Sequence, residues 1–271
     1  MSESIPLQAA RRAEAADSSF EEVYFEVQAE IDLTKHPGGL DATEELIALC
    51  RIDAADHVLD VGCGVGMTPA YLAKEVGCRV TGLDLRGSMI LRAVERAGRA
   101  GLRDRAHFVV GDIRHLPFRA DAFDVVMAES VLALIAEQDR AMGECVRVAK
   151  VGGAVGMAET NWRREPPAGF MERLSDGFGR MIFVLSPEEW HALLARAGLH
   201  DIVARNHAMS LGSEFRGRLR RLGLGQLLRI WRKFFALAWT EPKYSRFVKE
   251  ALSEPLELLR YWGYGVYVGW K

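Results

Sequence analysis

Three glycines, Gly62, Gly64 and Gly66, follow Asp60 and the apolar run His57-Val58-Leu59-Asp60-Val61, and a helical pattern through Tyr71, Leu72 and Val76 comes after them. Between a strand and a helix, such a turn lets backbone approach a ligand closely and aims helix N–H groups at it. The dinucleotide fingerprint needs a third glycine at the sixth position. Here Met67 stands there and Gly66 comes one residue early, which counts against a nicotinamide ligand. Asp60 adds to this, because its carboxylate would repel a pyrophosphate but suits an ammonium or sulfonium. Asp84, closing the next apolar run, is placed to accept the two hydroxyls of a ribose, with a helix cap as its plain alternative. Asp112, after the third run, is an acceptor for an adenine amino group, with Ile113 and Leu85 as apolar walls; a local Asx turn competes. Glu129 and Ser130 close the fourth run, and Glu159, Asn161 and Trp162 the fifth. Of these, Glu129 is expected to contact cofactor or substrate. His36, before Pro37-Gly38-Gly39, is either a base or part of a turn, and Tyr24 is a further candidate from the N-terminal arm.

The elements needed to hold these groups are legible as period. Asp41 with Glu44 three residues on reads as a capping box opening a helix over 41–51. Strands over 57–61, 79–83, 107–110, 123–127 and 154–159 alternate with helices, including 88–100 and 137–149, which calls for a parallel sheet covered on both faces. Between Asn161 and Val184 the pattern is loop plus short helix. Ser186-Pro187-Glu188-Glu189 opens another helix, which should stop at Gly198. Strand six is expected over 199–205 and strand seven over 261–271. The fold class expected is α/β: a seven-stranded, mostly parallel, Rossmann-like sheet with helices on both faces and an antiparallel last strand. Its division is a helical arm (1–40), a core (41–206), a helical insertion between strands six and seven (207–260) and the last strand (261–271).

The stretches HVLDVGCGVGMTPAYLA (57–73), VTGLDLRGSMI (80–90), VVGDIRHLPF (109–118), FDVVMAESVL (123–132) and KVGGAVGMAET (150–160) together resemble class I S-adenosylmethionine-dependent methyltransferases of the small-molecule subgroup. The resemblance covers about residues 40 to 205. It implies S-adenosyl-L-methionine as cofactor, held by Asp60, Gly62, Cys63, Gly64 and Gly66 at the methionine end, by Asp84 at the ribose, and by Asp112 with Ile113 at the adenine. Leu85, Met89 and Glu129 complete the cofactor set, and Glu129, His36 and Tyr24 are the catalytic candidates. The acceptor would be a small molecule, apolar or anionic. A nicotinamide oxidoreductase, and a non-catalytic cofactor-binding or lipid-surface protein, stand as alternatives. The chain lacks the Asn- or Asp-Pro-Pro-aromatic turn of DNA amino-methyltransferases after strand four, and its cysteines do not suit an arsenite acceptor.

Charge balance is near neutral, 35 basic against 37 acidic side chains, so no nucleic-acid partner is expected. The balance is uneven along the chain, however. Residues 211–249 hold ten basic and two acidic side chains, a local +8 within a whole-chain net of -2. Leu224, Leu227, Leu228, Trp231, Phe235 and Ala238 recur there at helical spacing, so this segment is expected to be an aromatic lid over the ligand end of the sheet or a peripheral membrane contact. Four cysteines at wide spacing read as reduced thiols rather than a zinc site or disulfide framework, and no metal is expected. Neither a secretory signal nor a membrane span is visible, so a cytoplasmic location is expected.

Overall fold

A computed structural model describes residues 20–33, 36–167, 182–209, 211–253 and 260–271. The first nineteen residues of the expected arm, and residues 168–181 of the stretch expected to hold a short helix, lie outside them. The parallel strands are β1 (His57–Val61), β2 (Arg79–Asp84), β3 (Ala106–Val110), β4 (Phe123–Glu129) and β5 (Ala149–Trp162). With β6 (His200–Ala208) and β7 (Trp262–Trp270) they form one sheet in the order β3-β2-β1-β4-β5-β7-β6. β7 runs antiparallel to both neighbours. The order reverses between β1 and β4, and open sheets of this type bind ligands in the crevice beyond the strand ends at that point.

Helices α1 (Phe20–Ile31), α2 (Gly39–Cys50), α3 (Met67–Tyr71), α4 (Gly87–Arg99), α5 (Gln138–Val148), α6 (Pro187–Arg196), α7 (Leu211–Leu237, two helical stretches joined by a kink at Gly223, φ 70° and ψ 162°) and α8 (Pro242–Ser253) surround the sheet. Alternation along the strands makes two cores. Leu59, Val61, Val126, Val155, Met157 and Tyr267 pack with Met142 of α5 and Trp190 of α6. Val58, Val80, Val125, Met127 and Val266 pack on the other face with Leu46 of α2 and Leu72. A strand buried on both faces has no polar side to show, which is why these runs are continuous in sequence.

Three local expectations are corrected. α2 begins at Gly39, with Gly38 at its cap in the left-handed region (φ 75°) and no side-chain cap. Asp41 is therefore inside the first turn, and Glu44 is spent on the Tyr71 hydroxyl (2.9 Å) and Arg220. The helix after the glycine turn is not uniform either: past Tyr71 it widens over Leu72–Val76, and Gly77 N–H reaches back five residues to Leu72 O. β5 runs to fourteen residues, because β7 pairs with it from Ala154–Trp270 to Trp162–Trp262 and carries it past the rim. Ser186 does form the expected capping box with Glu189, Pro187 opening the helix.

Candidate active site

β1 ends at Val61, and Gly62 and Cys63 donate their N–H groups to Leu83 O of β2 at 2.6 and 2.9 Å, so the turn is pinned across the switch point. Gly62 and Gly66 take φ of 73° and 75°, a region costly for a residue with a Cβ. Space excludes a side chain as well: a Cβ on Gly62 would collide with Val131, and one on Gly66 would lie 2.7 Å from Ala93 Cβ. The Cys63 side chain turns inward against Gly82, 5% exposed. Burial, with Asp60 and Asp84 nearby, pushes its thiol well above the usual range. Cys63 can therefore serve a ligand through its backbone only. All four cysteines are free and buried.

Asp60 is buried at the end of β1, 2% exposed. Asp84 does not cap α4, whose N-cap is Arg86. Its carboxylate accepts from Gly64 N–H (3.0 Å) and Arg86 N–H (2.9 Å), and burial raises its pKa. Asp112 does adopt the Asx turn, accepting from Arg114 N–H at 2.9 Å, and it also pairs with the Arg114 guanidinium, which lowers its pKa. Leu85 stands 57% exposed at the rim, as a ligand wall would. Ile113 is instead drawn into the core beside Leu83 and Leu116. The arrangement fits S-adenosylmethionine. A cradle with no room for Cβ atoms leads to a buried carboxylate at the cationic end, and two further carboxylates stand at the neighbouring strand ends.

Glu129, at the end of β4, is 6% exposed. Thr43 of α2 donates to its Oε1 and Thr68 of α3 to its Oε2, both at 2.7 Å. His36 Nδ1 stands 3.9 Å from Oε1, and its Nε2 lies 3.5 Å from the Thr43 hydroxyl. Two of the three catalytic candidates therefore meet. Tyr24 does not join them; its ring packs against Phe247 in the seam between α1 and α8. Thr43 and Thr68 escaped the sequence reading, since a buried threonine on a helix carries no signal until its partner is known.

Glu159 is not in the crevice. It is fully buried and accepts N–H groups from Val131 and Leu132, each at 2.8 Å, and from Ala133 at 3.4 Å. This holds the loop that presses Val131 on Gly62, past Ser130, itself in the left-handed region. Burial outweighs the three donors and raises its pKa to about 7. An acid whose folded pKa lies above its unfolded value loses stabilisation as pH rises, here from about 4.5 to about 7. Urea unfolding across that window should show stability falling by up to about 3 kcal/mol, with the slope flattened in Glu159→Gln. An equally steep slope in that variant would assign the pH dependence elsewhere. Asn161 is likewise buried, donating to Asn206 and the Tyr267 hydroxyl, and Trp162 packs on Trp262.

Met89, 1% exposed, sits with Ala29, Val65 and Met67 under Phe25, Leu33 and Leu222. α1 thus covers the helix of the glycine turn, and Arg96 locks it there by donating to Val65 O, Asp32 O and Asp32 Oδ1 at 2.8–2.9 Å. α7 and α8 lie against α1 through Leu237, Phe234, Tyr244, Phe247 and Val248. Arg220 pairs with Asp41 and Glu44 of α2. The apolar face expected to form the lid is split. Leu227 is 5% exposed, whereas Leu224, Leu228, Trp231, Phe235 and Trp239 face solvent. Among the described residues no helix is long and apolar enough to cross a membrane, and no cluster of metal-ligand type occurs.

Residues 59–157 match the family model described as a methyltransferase domain. The chain is 36% identical over 117 residues to methyltransferase GfsG of Streptomyces halstedii, covering 43% of this chain and 42% of that protein. It is 30% identical over 176 residues to the uncharacterized methyltransferase YodH of Bacillus subtilis, covering 65% of this chain and 72% of that one. In structure it is similar to an S-adenosylmethionine-dependent methyltransferase from Geobacter sulfurreducens solved with S-adenosyl-L-homocysteine. The TM-score is 0.67 at 21% identity, over 91% of this chain and 97% of that one. The matched domain contains the glycine turn and all three rim carboxylates, which removes the nicotinamide alternative. The chain belongs to the class I S-adenosylmethionine-dependent methyltransferases, and S-adenosylmethionine is its cofactor.

Proposed function

We propose that the protein methylates a small molecule whose body is apolar or anionic, with the acceptor atom presented beside Glu129 and His36. The carrying observation is the buried Glu129 carboxylate shared between Thr68, on the helix that follows the glycine turn, and the Thr43–His36 side. The cofactor supplies a methyl group on a sulfonium, and displacement requires chiefly alignment and exclusion of water. Asp60, Asp84 and Asp112 hold and orient its ends. Glu129 fixes the helix carrying Thr68 against α2 and presents a carboxylate edge to His36. The imidazole, so oriented, accepts the proton an acceptor hydroxyl or amine releases. α1 and the first part of α7 are read as the cover that keeps water out; Leu222 beside Val65, Met67 and Met89 supports this. Residues 207–260 as a whole are read as the insertion that supplies it.

Turnover with labelled S-adenosylmethionine on a panel of apolar and anionic small molecules tests the reading. For a responding acceptor, His36→Ala should lower kcat by about 100-fold and leave adenosylhomocysteine affinity nearly unchanged. Equal kcat in His36→Ala at every pH would reduce His36 to a turn residue and leave methyl transfer to alignment alone.

A further inference from the structure

Four large apolar side chains of α7, Leu224, Leu228, Trp231 and Phe235, and Trp239 in the turn just past its end face solvent, 61, 61, 43, 47 and 91% exposed. Their spacing of four, three and four places Leu224 to Phe235 on one stripe of the helix, which Trp239 continues four residues on, with Trp231 and Phe235 stacked at 5.7 Å. The same helix turns a different face, Leu227 and Phe234, inward. The stripe is thus surplus to packing, and exposed contiguous apolar surface rimmed by charge marks an interaction site.

The charges beside it indicate what it meets. Cations that tie this region to the body are neutralised: Lys233 faces Glu30, Lys243 pairs with Glu26, and Arg220 with Asp41 and Glu44. Arg229 and Arg232, on α7 next to the stripe, are exposed and meet no carboxylate among the described residues, and neither do Arg246 and Lys249 on the outer side of α8. A second copy docking through the same face would bring like charge to it, because the segment is +8. An anionic bilayer offers complementary charge and, at its interface, the mixed environment that tryptophan and phenylalanine prefer.

We propose that α7 docks this protein peripherally on anionic membranes, with Trp231, Phe235 and Trp239 entering the interface and Arg229 and Arg232 at the headgroups. No step of the docking depends on methyl transfer. Flotation with phosphatidylcholine vesicles, with and without phosphatidylglycerol, tests it. The protein should float with the phosphatidylglycerol vesicles, weakly or not at all with phosphatidylcholine alone, and less as salt is raised. Arg229→Glu with Arg232→Glu should lower the bound fraction at least tenfold, and Trp231→Ser, Phe235→Ser and Trp239→Ser together should abolish it. Unchanged adenosylhomocysteine affinity certifies that these surface variants are folded. Absence of flotation by the parent protein, binding indifferent to headgroup charge, or a dimer that the same substitutions dissociate would each overturn the proposal, the last by assigning the stripe to self-association.

Discussion

Asp84→Ala is expected to raise the dissociation constant for adenosylhomocysteine roughly 30- to 150-fold, about 2 to 3 kcal/mol, the scale for losing hydrogen bonds to a charged group. The carboxylate sits at the end of β2, oriented by Gly64 and Arg86 N–H groups, so its position is set before a ribose arrives. The same bonds mean that removing it loosens the glycine turn, and part of the effect comes from there. Asp84→Asn separates the two: its side-chain oxygen still accepts from one backbone N–H, but the amide loses the charge and can accept only one ribose hydroxyl. Calorimetric titration should place Asp84→Asn between the parent and Asp84→Ala. An affinity unchanged in Asp84→Ala would leave the residue a staple of the turn alone.

Gly66→Ala is expected to cost about 2 to 5 kcal/mol of stability, from two sources of comparable size. A Cβ at φ 75° carries roughly 1 to 2 kcal/mol of backbone penalty. The added methyl, 2.7 Å from Ala93 Cβ and 3.0 Å from Ala93 Cα, overfills a closed contact for about 1 to 3 more. Ala93→Gly removes only the first of those two neighbours. Compared with Ala93→Gly alone, the double variant should therefore recover part of the loss in urea unfolding and no more. Complete recovery would show that the approach of α4, rather than the left-handed backbone, is what demands glycine here. Adenosylhomocysteine binding should fall with Gly66→Ala even where the protein remains folded, since the turn's N–H groups can no longer hold their direction.

Much of the site is readable in the sequence, for a physical reason. Strand ends, a glycine turn and the acids beside it are neighbours in sequence, and a parallel sheet places successive strand ends on one rim. Asp60, Asp84 and Asp112 needed only the alternation of periods to be grouped. The lateral contacts obeyed no local pattern. Glu129 was visible as a strand-end carboxylate, but its donors Thr43 and Thr68 lie 86 and 61 residues away. Glu159 looked the same in sequence and took a different role, because the loop after β4 folds back onto it and buries it completely. The capping box expected at Asp41 failed since the chain enters α2 from the Pro37-Gly38 turn, where Gly38 lies too close to Tyr264 of β7 for a side chain.

The amphipathic insertion shows the division most plainly. Sequence determined that residues 211–249 form basic helices with an apolar face, because helical period and composition are local properties. Which apolar residues turn inward was decided by what α7 meets. α1, held down by Arg96 and Asp32, takes Phe234, while the adjacent stripe from Leu224 to Trp239 stays exposed. A helix with apolar residues over more than one face specifies that it must be covered, and only tertiary packing selects the face that is.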